Sequence, residues 1–366
     1  MENFFIITPI GLENITLAEF KEKWGYFQDS PEMSAQVVKG GVEVQCDLSH
    51  GLALNHILRT PTRILLRLKT QKCRDLPKLY KIIKKIEWKN LLCHEEVNFQ
   101  VTAKKSRLIH TTKIEKTARD AIADYFQANH LKSKVLEEFK EKPLPTLFLR
   151  LFEDELTISL DTTGERLHKR GQSFSKAKAP LRESTAQSLL RYLIKDIDNA
   201  KDNILIDPMC GSGTFLRETM HMNDLIMREF AYHSLKINTE MPKMDNKASE
   251  LFSGFYGFDL NKELIAENQK NYPQINFEEN DLFQAEFPES LKNQIVIVNP
   301  PYGKRIKINE SKSNYFAKLV KTVEKKLNPS ALGLIIPTPY DKGLSGEKLY
   351  FNQNGVKVCF LKRLKS

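Results

Sequence analysis

The sequence predicts an α/β chain whose second half is a doubly wound, mostly parallel sheet and whose first half is an α+β region of smaller units. Three observations carry that prediction. At 366 residues the chain exceeds what one compact core usually fills. Short apolar strand-like runs are interleaved with amphipathic helical stretches throughout. Near residue 165 the pattern turns into a regular alternation of strand and helix, which is the signature of right-handed βαβ crossovers.

In chain order, the β-type runs before that point are FFIIT, GVEVQC, RILLRL, VNFQVTA, TLFLRLF and LTISL, with helical stretches at 75–92 and 111–127. Beyond it the order is a helix at 181–194, the strand NILI, a glycine turn and a helix. The strand GFYGF, a helix, a short strand, the strand QIVIV, a helix at 313–327 and the strand ALGLII follow. Residues 161–180, rich in Thr, Gly, Ser, Lys and Arg, form the natural connector, and 238–247 is a polar excursion inside the second half. No repeat of 20 to 50 residues is evident.

Hydrophobic residues make up 41% and charged residues 28%, the balance of an ordinary globular protein. No apolar run approaches the roughly 20 residues needed to cross a bilayer, and MENFFIITPIGLENI lacks a basic region ahead of its apolar stretch. A cytoplasmic protein is expected. The five cysteines are scattered, with no CxxC pair and no His at ligand spacing, so neither a disulfide framework nor a metal site is expected. Net charge is +10, which permits a polyanionic partner. Residues 59–89 hold eleven Lys and Arg against Asp75 and Glu87, and 166–182 hold six and no acid. Within these segments Arg59, Arg63, Arg67, Lys69, Lys72, Arg74, Lys169 and Arg170 are the candidate phosphate contacts.

Three motifs carry chemistry. In NILIDPMCGSGTFL an apolar strand ends at Asp207 and enters a turn through Pro208, Gly211 and Gly213 that opens a helix, so the backbone can approach a ligand. No Gly-Lys-Ser/Thr closes the turn, which removes the main phosphate donor of a P-loop, and the GxGxxG of a dinucleotide site is incomplete. In GFDLN, Asp259 sits at another strand tip, where it can accept both hydroxyls of a ribose. Asp281, after the run INFEEN, either faces an adenine amine or caps a helix.

The third motif is Asn299-Pro300-Pro301-Tyr302 after the buried strand IVIV. Two prolines fix φ and leave no backbone N–H, so the carbonyls of Asn299 and Pro300 are rigid acceptors without a competing donor. An exocyclic base amine is a poor nucleophile because its lone pair is delocalised into the ring. Acceptors at Asn299 and Pro300 can hold that nitrogen towards a methyl donor, and Tyr302 offers a face for the extruded base.

With these motifs assembled, the chain resembles the THUMP-containing class I RNA methyltransferases of the RlmL/YpsC type, which methylate guanine N2 in 23S ribosomal RNA. The resemblance runs from FFIITPIGLENITLAEF through LTISLDTTGERLHKRGQS to APLRESTAQSLLRYL, DPMCGSGTFLRE and NPPYGKR. It implies a ferredoxin-like segment at 1–64, a THUMP RNA-binding domain at 65–163, and a Rossmann-like methyltransferase domain at 164–366. It also implies S-adenosylmethionine as cofactor, with no metal because the sulfonium methyl is already activated. Glu183 and Thr185 would precede the cofactor turn, Asp207, Gly211 and Gly213 would line the methionine part, and Asp259 and Asp281 would hold ribose and adenine. Asn299, Pro300 and Tyr302 would position the base. The chain departs from the family at Gln172-Ser173, where an aromatic or basic continuation is commoner. Methylation of guanine N2 in tRNA, of adenine N6 in DNA, or a non-catalytic assembly role are the alternatives.

Overall fold

The computed structural model describes the chain apart from residues 30, 132–141, 171–180, 238, 246–250, 302–311, 354 and 366. It divides into two compact units, neither contiguous in sequence. The first is Met1–Ile7, Lys21–Leu167 and Leu225–Asp245; the second is Thr8–Phe20, His168–Asp224 and Asn246–Ser366. Residues 8–20 are thus grouped with the later half of the chain and 225–245 with the earlier half.

The first unit holds a seven-stranded sheet of β1 (Glu2–Ile7), β2 (Ser34–Val38), β3 (Gly41–Cys46), β4 (Arg63–Lys72), β5 (Asn98–Lys104), β6 (Thr146–Phe152) and β7 (Glu155–Asp161). Their order is β2-β3-β1-β4-β7-β6-β5, and only the β5–β6 pair is parallel. In chain order the helices are α1 (Glu13–Trp24), of which only 21–24 belong to this unit, α2 (Leu48–Ile57), α3 (Leu76–Lys84) and α4 (Thr111–Ala128). Period-two alternation sorts the sheet's residues. Phe4, Ile6, Val42, Val44, Ile64, Leu66, Leu147 and Leu149 are buried on one face, where Gly51 of α2 lies against the Phe4 ring. The alternate positions Asn3, Phe5, Arg67 and Arg150 are half-buried or exposed on the other.

In the second unit the strands are β8 (Ile204–Asp207), β9 (Gly254–Asp259), β10 (Asn276–Glu279), β11 (Ile295–Val298), β12 (Ala331–Pro337), β13 (Glu347–Gln353) and β14 (Val356–Leu364). They run in the order β10-β9-β8-β11-β12-β14-β13. The first five are parallel; β14 enters antiparallel between β12 and β13. The remaining helices are α5 (Glu183–Ile194), α6 (Thr214–Met220), α7 (Lys262–Asn271) and α8 (Lys312–Leu327). On β11, Ile295 and Ile297 join one core with α5 and α6 residues, while Val296 and Val298 join a second core with Phe316, Leu319 and Val323 of α8. A strand buried on both faces reads as the continuous apolar run seen in the sequence. Among the described residues no helix is long and apolar enough to cross a membrane.

Packing on the first of these cores is tight under the glycine turn that follows β8. A Cβ at Gly257 of β9 would lie 2.6 Å from Phe277 Cδ1 and 2.8 Å from Leu216 Cδ1. Gly257→Ala is therefore expected to lower stability by about 1–3 kcal/mol, read as a shift in the urea midpoint without a change in slope.

Candidate active site

The chain reverses its direction of winding between β8 and β11, and both strands end at the same edge, which opens a crevice beyond their carboxyl ends. A cavity of about 910 Å³ occupies that end of the second unit, at the upper part of the size range for ligand sites. Its walls include Pro208, Gly211, Asp259, Asp281, Asn299 and Pro300. Motifs separated by some ninety residues in the sequence thus meet at one place.

The turn after β8 is held from below. Cys210 N–H donates to Phe258 O at 2.8 Å, Gly211 N–H to Asp259 Oδ2 at 2.8 Å, and Asn268 Nδ2 to Gly211 O at 2.9 Å. Gly211 and Gly213 have φ of +52° and +68°, where a side chain strains the backbone. A Cβ at Gly211 would meet no atom within 4 Å, so this position faces open space, whereas one at Gly213 would lie 2.9 Å from Phe277 Cζ. Gly211 leaves room for a ligand, and Gly213 allows close packing behind it.

Asp259 also accepts from Asn261 N–H at 2.9 Å, and Asn261 in turn caps α7 through Leu264 N–H at 3.1 Å. Asp281 accepts from Phe283 N–H at 2.8 Å, so it fixes a turn and borders the cavity together. Asn299 Oδ1 is buried and has no hydrogen-bond partner, as has Asn280 Oδ1. Buried acceptors left open cost about 1–3 kcal/mol, and in a cavity wall they point to a ligand donor.

Other expected residues lie elsewhere. Asp207 is only 2% exposed and does not line the cavity; it accepts from Met209 N–H at 3.1 Å and so shapes the turn from behind. Thr185 is buried within α5, and Glu183 stands beside Glu218, Arg170 and Arg217 rather than on the cavity wall. Burial, and then the charge of Glu218, push the Glu183 carboxyl up. Tyr302, Gln172 and Ser173 lie outside the described residues. Leu260, Asn280, Phe283 and Tyr315 border the cavity without having been expected there. Only adjacency to Asp259 and Asp281 marked the first three, and Tyr315 comes from the first turn of α8, beyond the Asn-Pro-Pro motif in sequence.

The basic run at 59–74 is not one exposed stripe. Arg59 is 5% exposed, Arg63 is ion-paired with Asp161, and Arg67 reaches Glu43 at 3.2 Å while lying 4.3 Å from the Phe5 ring centroid. Strand alternation turns successive residues to opposite faces, so a charge run in sequence is divided in space. Lys69, Lys72, Arg74 and Lys169 are exposed, with Arg74 on Asp154 at 3.2 Å; Arg170 is committed to Glu218.

Asp207 has a titration of its own. Complete burial pushes its carboxyl up to about 8, against the Met209 N–H and with help from the Asp259 charge. The folded state then holds a proton that the unfolded chain releases near pH 4. Stability from this group is accordingly lost as pH rises from about 4 to about 8, at up to roughly 1.4 kcal/mol per pH unit, and levels off above. Asp207→Asn is expected to flatten urea-denaturation stability across that window; an unchanged slope would show that the carboxyl titrates normally.

Residues 170–343 match the family model for the UPF0020 RMKL-like methyltransferase domain. That stretch lies in the second unit apart from 225–245, which belong to the first. Two curated relatives, the ribosomal RNA large subunit methyltransferases K/L of Photobacterium profundum and Psychromonas ingrahamii, are each 29% identical over 330 residues, or 84% of this chain. The match takes in 44% and 42% of their respective lengths, so the chain spans under half of these relatives. A crystal structure described as a possible methylase from Clostridium difficile 630 has the same fold. It covers 100% of this chain and 98% of its own, with 24% identity and a TM-score of 0.81. The UPF0020 match begins at Arg170 and ends past β12, enclosing the three motifs and the cavity's walls apart from Gln353.

Proposed function

We propose that this chain transfers a methyl group from S-adenosylmethionine to the exocyclic N2 amine of a guanine in RNA, with 23S ribosomal RNA as the substrate. The observation that carries the reading is the Asn299 carboxamide oxygen, buried and unpartnered at a cavity it shares with Asp259 and Asp281. S-adenosylmethionine, when bound, supplies a methyl already activated on a sulfonium. Asp259 would accept from the ribose hydroxyls and Asp281 from the adenine amine, while Gly211, open to the cavity, leaves space at the turn. Asn299 Oδ1 and the adjacent backbone carbonyls accept the hydrogens of the target amine. This draws the nitrogen lone pair out of the ring and aims it. The names of the two curated relatives support ribosomal RNA as the polymer.

The test incubates purified protein with labelled S-adenosylmethionine and, separately, 23S rRNA, tRNA and DNA, followed by nucleoside mass spectrometry. N2-methylguanine in 23S rRNA is the expected product. Label confined to tRNA or DNA would replace the substrate, and cofactor binding without transfer to any of the three would favour an assembly role.

A further inference from the structure

The cavity in the second unit does not end at Asn299. Its described wall follows the strand order: residues after β10 and β9, the glycine turn after β8, Asn299 and two prolines after β11, and last Gln353 at the end of β13. Because β14 runs antiparallel to both β12 and β13, β13 points the same way as β11 and delivers Gln353 to the same edge of the sheet. Charge divides this wall. Among the described residues, Asp259, Lys262, Glu263 and Asp281 follow β9 and β10, whereas beyond β8 the strand ends contribute only Asn299, Pro300, Pro301 and Gln353. Under the reading above, S-adenosylmethionine takes the charged half, which leaves the neutral half for the base.

Gln353 is half-buried at the end of a firmly held strand. Phe351 is buried in the first core, Asn352 N–H donates to Ile10 O at 3.2 Å, and a Cβ at Gly11 would lie 2.2 Å from Tyr350 O. A side chain carried on so fixed a backbone can select by hydrogen bonding, because a mismatched base cannot pull it into register. Three strand spacings separate β11 from β13, about 14 Å at about 4.8 Å each. Two side chains, one purine and a hydrogen bond of about 2.9 Å at either end fill such a gap. Bases differ in what they present beyond the exocyclic amine. With N2 at Asn299, guanine offers N1–H and O6, a donor beside an acceptor, and a carboxamide matches both. Adenine held by N6 offers N1 and then C2–H, and cytosine held by N4 offers two acceptors. A carboxamide makes only one hydrogen bond with either.

We propose that Gln353 selects guanine, its Oε1 accepting from N1–H and its Nε2 donating to O6 while Asn299 holds N2. The proposal rests on the guanine-N2 reading above and adds the contact that separates guanine from the other amino bases. Its test uses the full-length protein and 23S rRNA assembled by ligation with either guanine or 2-aminopurine at the position labelled in the assay above. 2-Aminopurine keeps the N2 amine but has neither the N1 proton nor O6, so a carboxamide keeps one bond of two. The parent is compared with Gln353→Ala and with Gln353→Met, which retains the length of the side chain without its polar ends. In both variants kcat/KM on guanine is expected to fall about 10- to 100-fold, and on 2-aminopurine by about threefold. Comparing the two bases across parent and variants cancels their difference in amine reactivity. Calorimetry is expected to find S-adenosylmethionine affinity within about twofold of the parent. Guanine preference retained in both variants, or an equal loss on the two bases, overturns the role of Gln353 and leaves the methyltransferase reading standing. A loss of cofactor affinity as large as the loss of activity marks a structural role and overturns it too. A parent that binds cofactor and methylates neither RNA overturns the guanine-N2 reading itself.

Discussion

Asn299→Ala is expected to lose methyl transfer by roughly 10³-fold or more while binding S-adenosylmethionine within about threefold of the parent. The separation follows from what the side chain touches. Its Oδ1 has no hydrogen-bond partner, so removing that oxygen breaks no hydrogen bond of its own, and unchanged cofactor affinity reports whether the fold is retained. What disappears is the acceptor for the attacking amine. Pro300 cannot replace it, because its ring supplies rigidity and its carbonyl is a single acceptor where two hydrogens must be held. Asn299→Asp restores an acceptor with a negative charge and is expected to recover part of the activity. Calorimetry with cofactor and a filter assay with labelled methyl donor read the two quantities separately. An active Asn299→Ala protein would falsify the mechanism.

Asp259→Ala acts on the other half of the site. Both carboxylate oxygens are in use, one by Gly211 N–H at 2.8 Å and one by Asn261 N–H at 2.9 Å. The residue thus ties the glycine turn to the start of α7 and also faces the cavity. On the proposed reading its loss removes a charge-assisted acceptor for two ribose hydroxyls, and it also releases the turn. S-adenosylmethionine is expected to bind about 100-fold more weakly, near 2.7 kcal/mol, with a lesser loss for Asp259→Asn. The product S-adenosylhomocysteine carries the same ribose and should weaken by the same factor. Equal affinity in parent and variant would place the ribose elsewhere.

The parts of this site legible in the sequence were those encoded by local geometry. An acid at a strand tip followed by Gly-x-Gly can do little else than turn sharply, and Asn-Pro-Pro-aromatic after four β-branched residues fixes its carbonyls by covalent constraint. Relations decided by packing were not legible. Asp207 looks the same in sequence whether it enters the cavity or supports the turn from behind; its 2% exposure decides the matter. Arg63 and Arg67 counted as phosphate contacts until the sheet brought Asp161, on the adjacent strand β7, and Glu43, on β3 across β1, within reach of them, by pairings no spacing reveals. The fold shows the same division. Four of the five parallel strands were readable as apolar runs and β10 as a short strand, but the hairpin of β13 and β14, with polar residues along its exposed edge, gave a weaker pattern and was not expected.

The exchange of residues 8–20 and 225–245 between the two units bears on how the protein can be made. No cut at a single peptide bond yields a complete copy of either unit. A fragment ending at 167 would lack the segment that supplies Met244 to bridge Phe27 and Tyr232 to reach His56 at 2.8 Å. One starting at 168 would lack Leu12 from its core. During synthesis the first unit must wait for residue 245 to leave the ribosome, by which time β8 and its glycine turn have already emerged. Folding of the two units is thereby coupled in time, and the glycine turn after β8 emerges on a chain whose first unit still lacks its last segment.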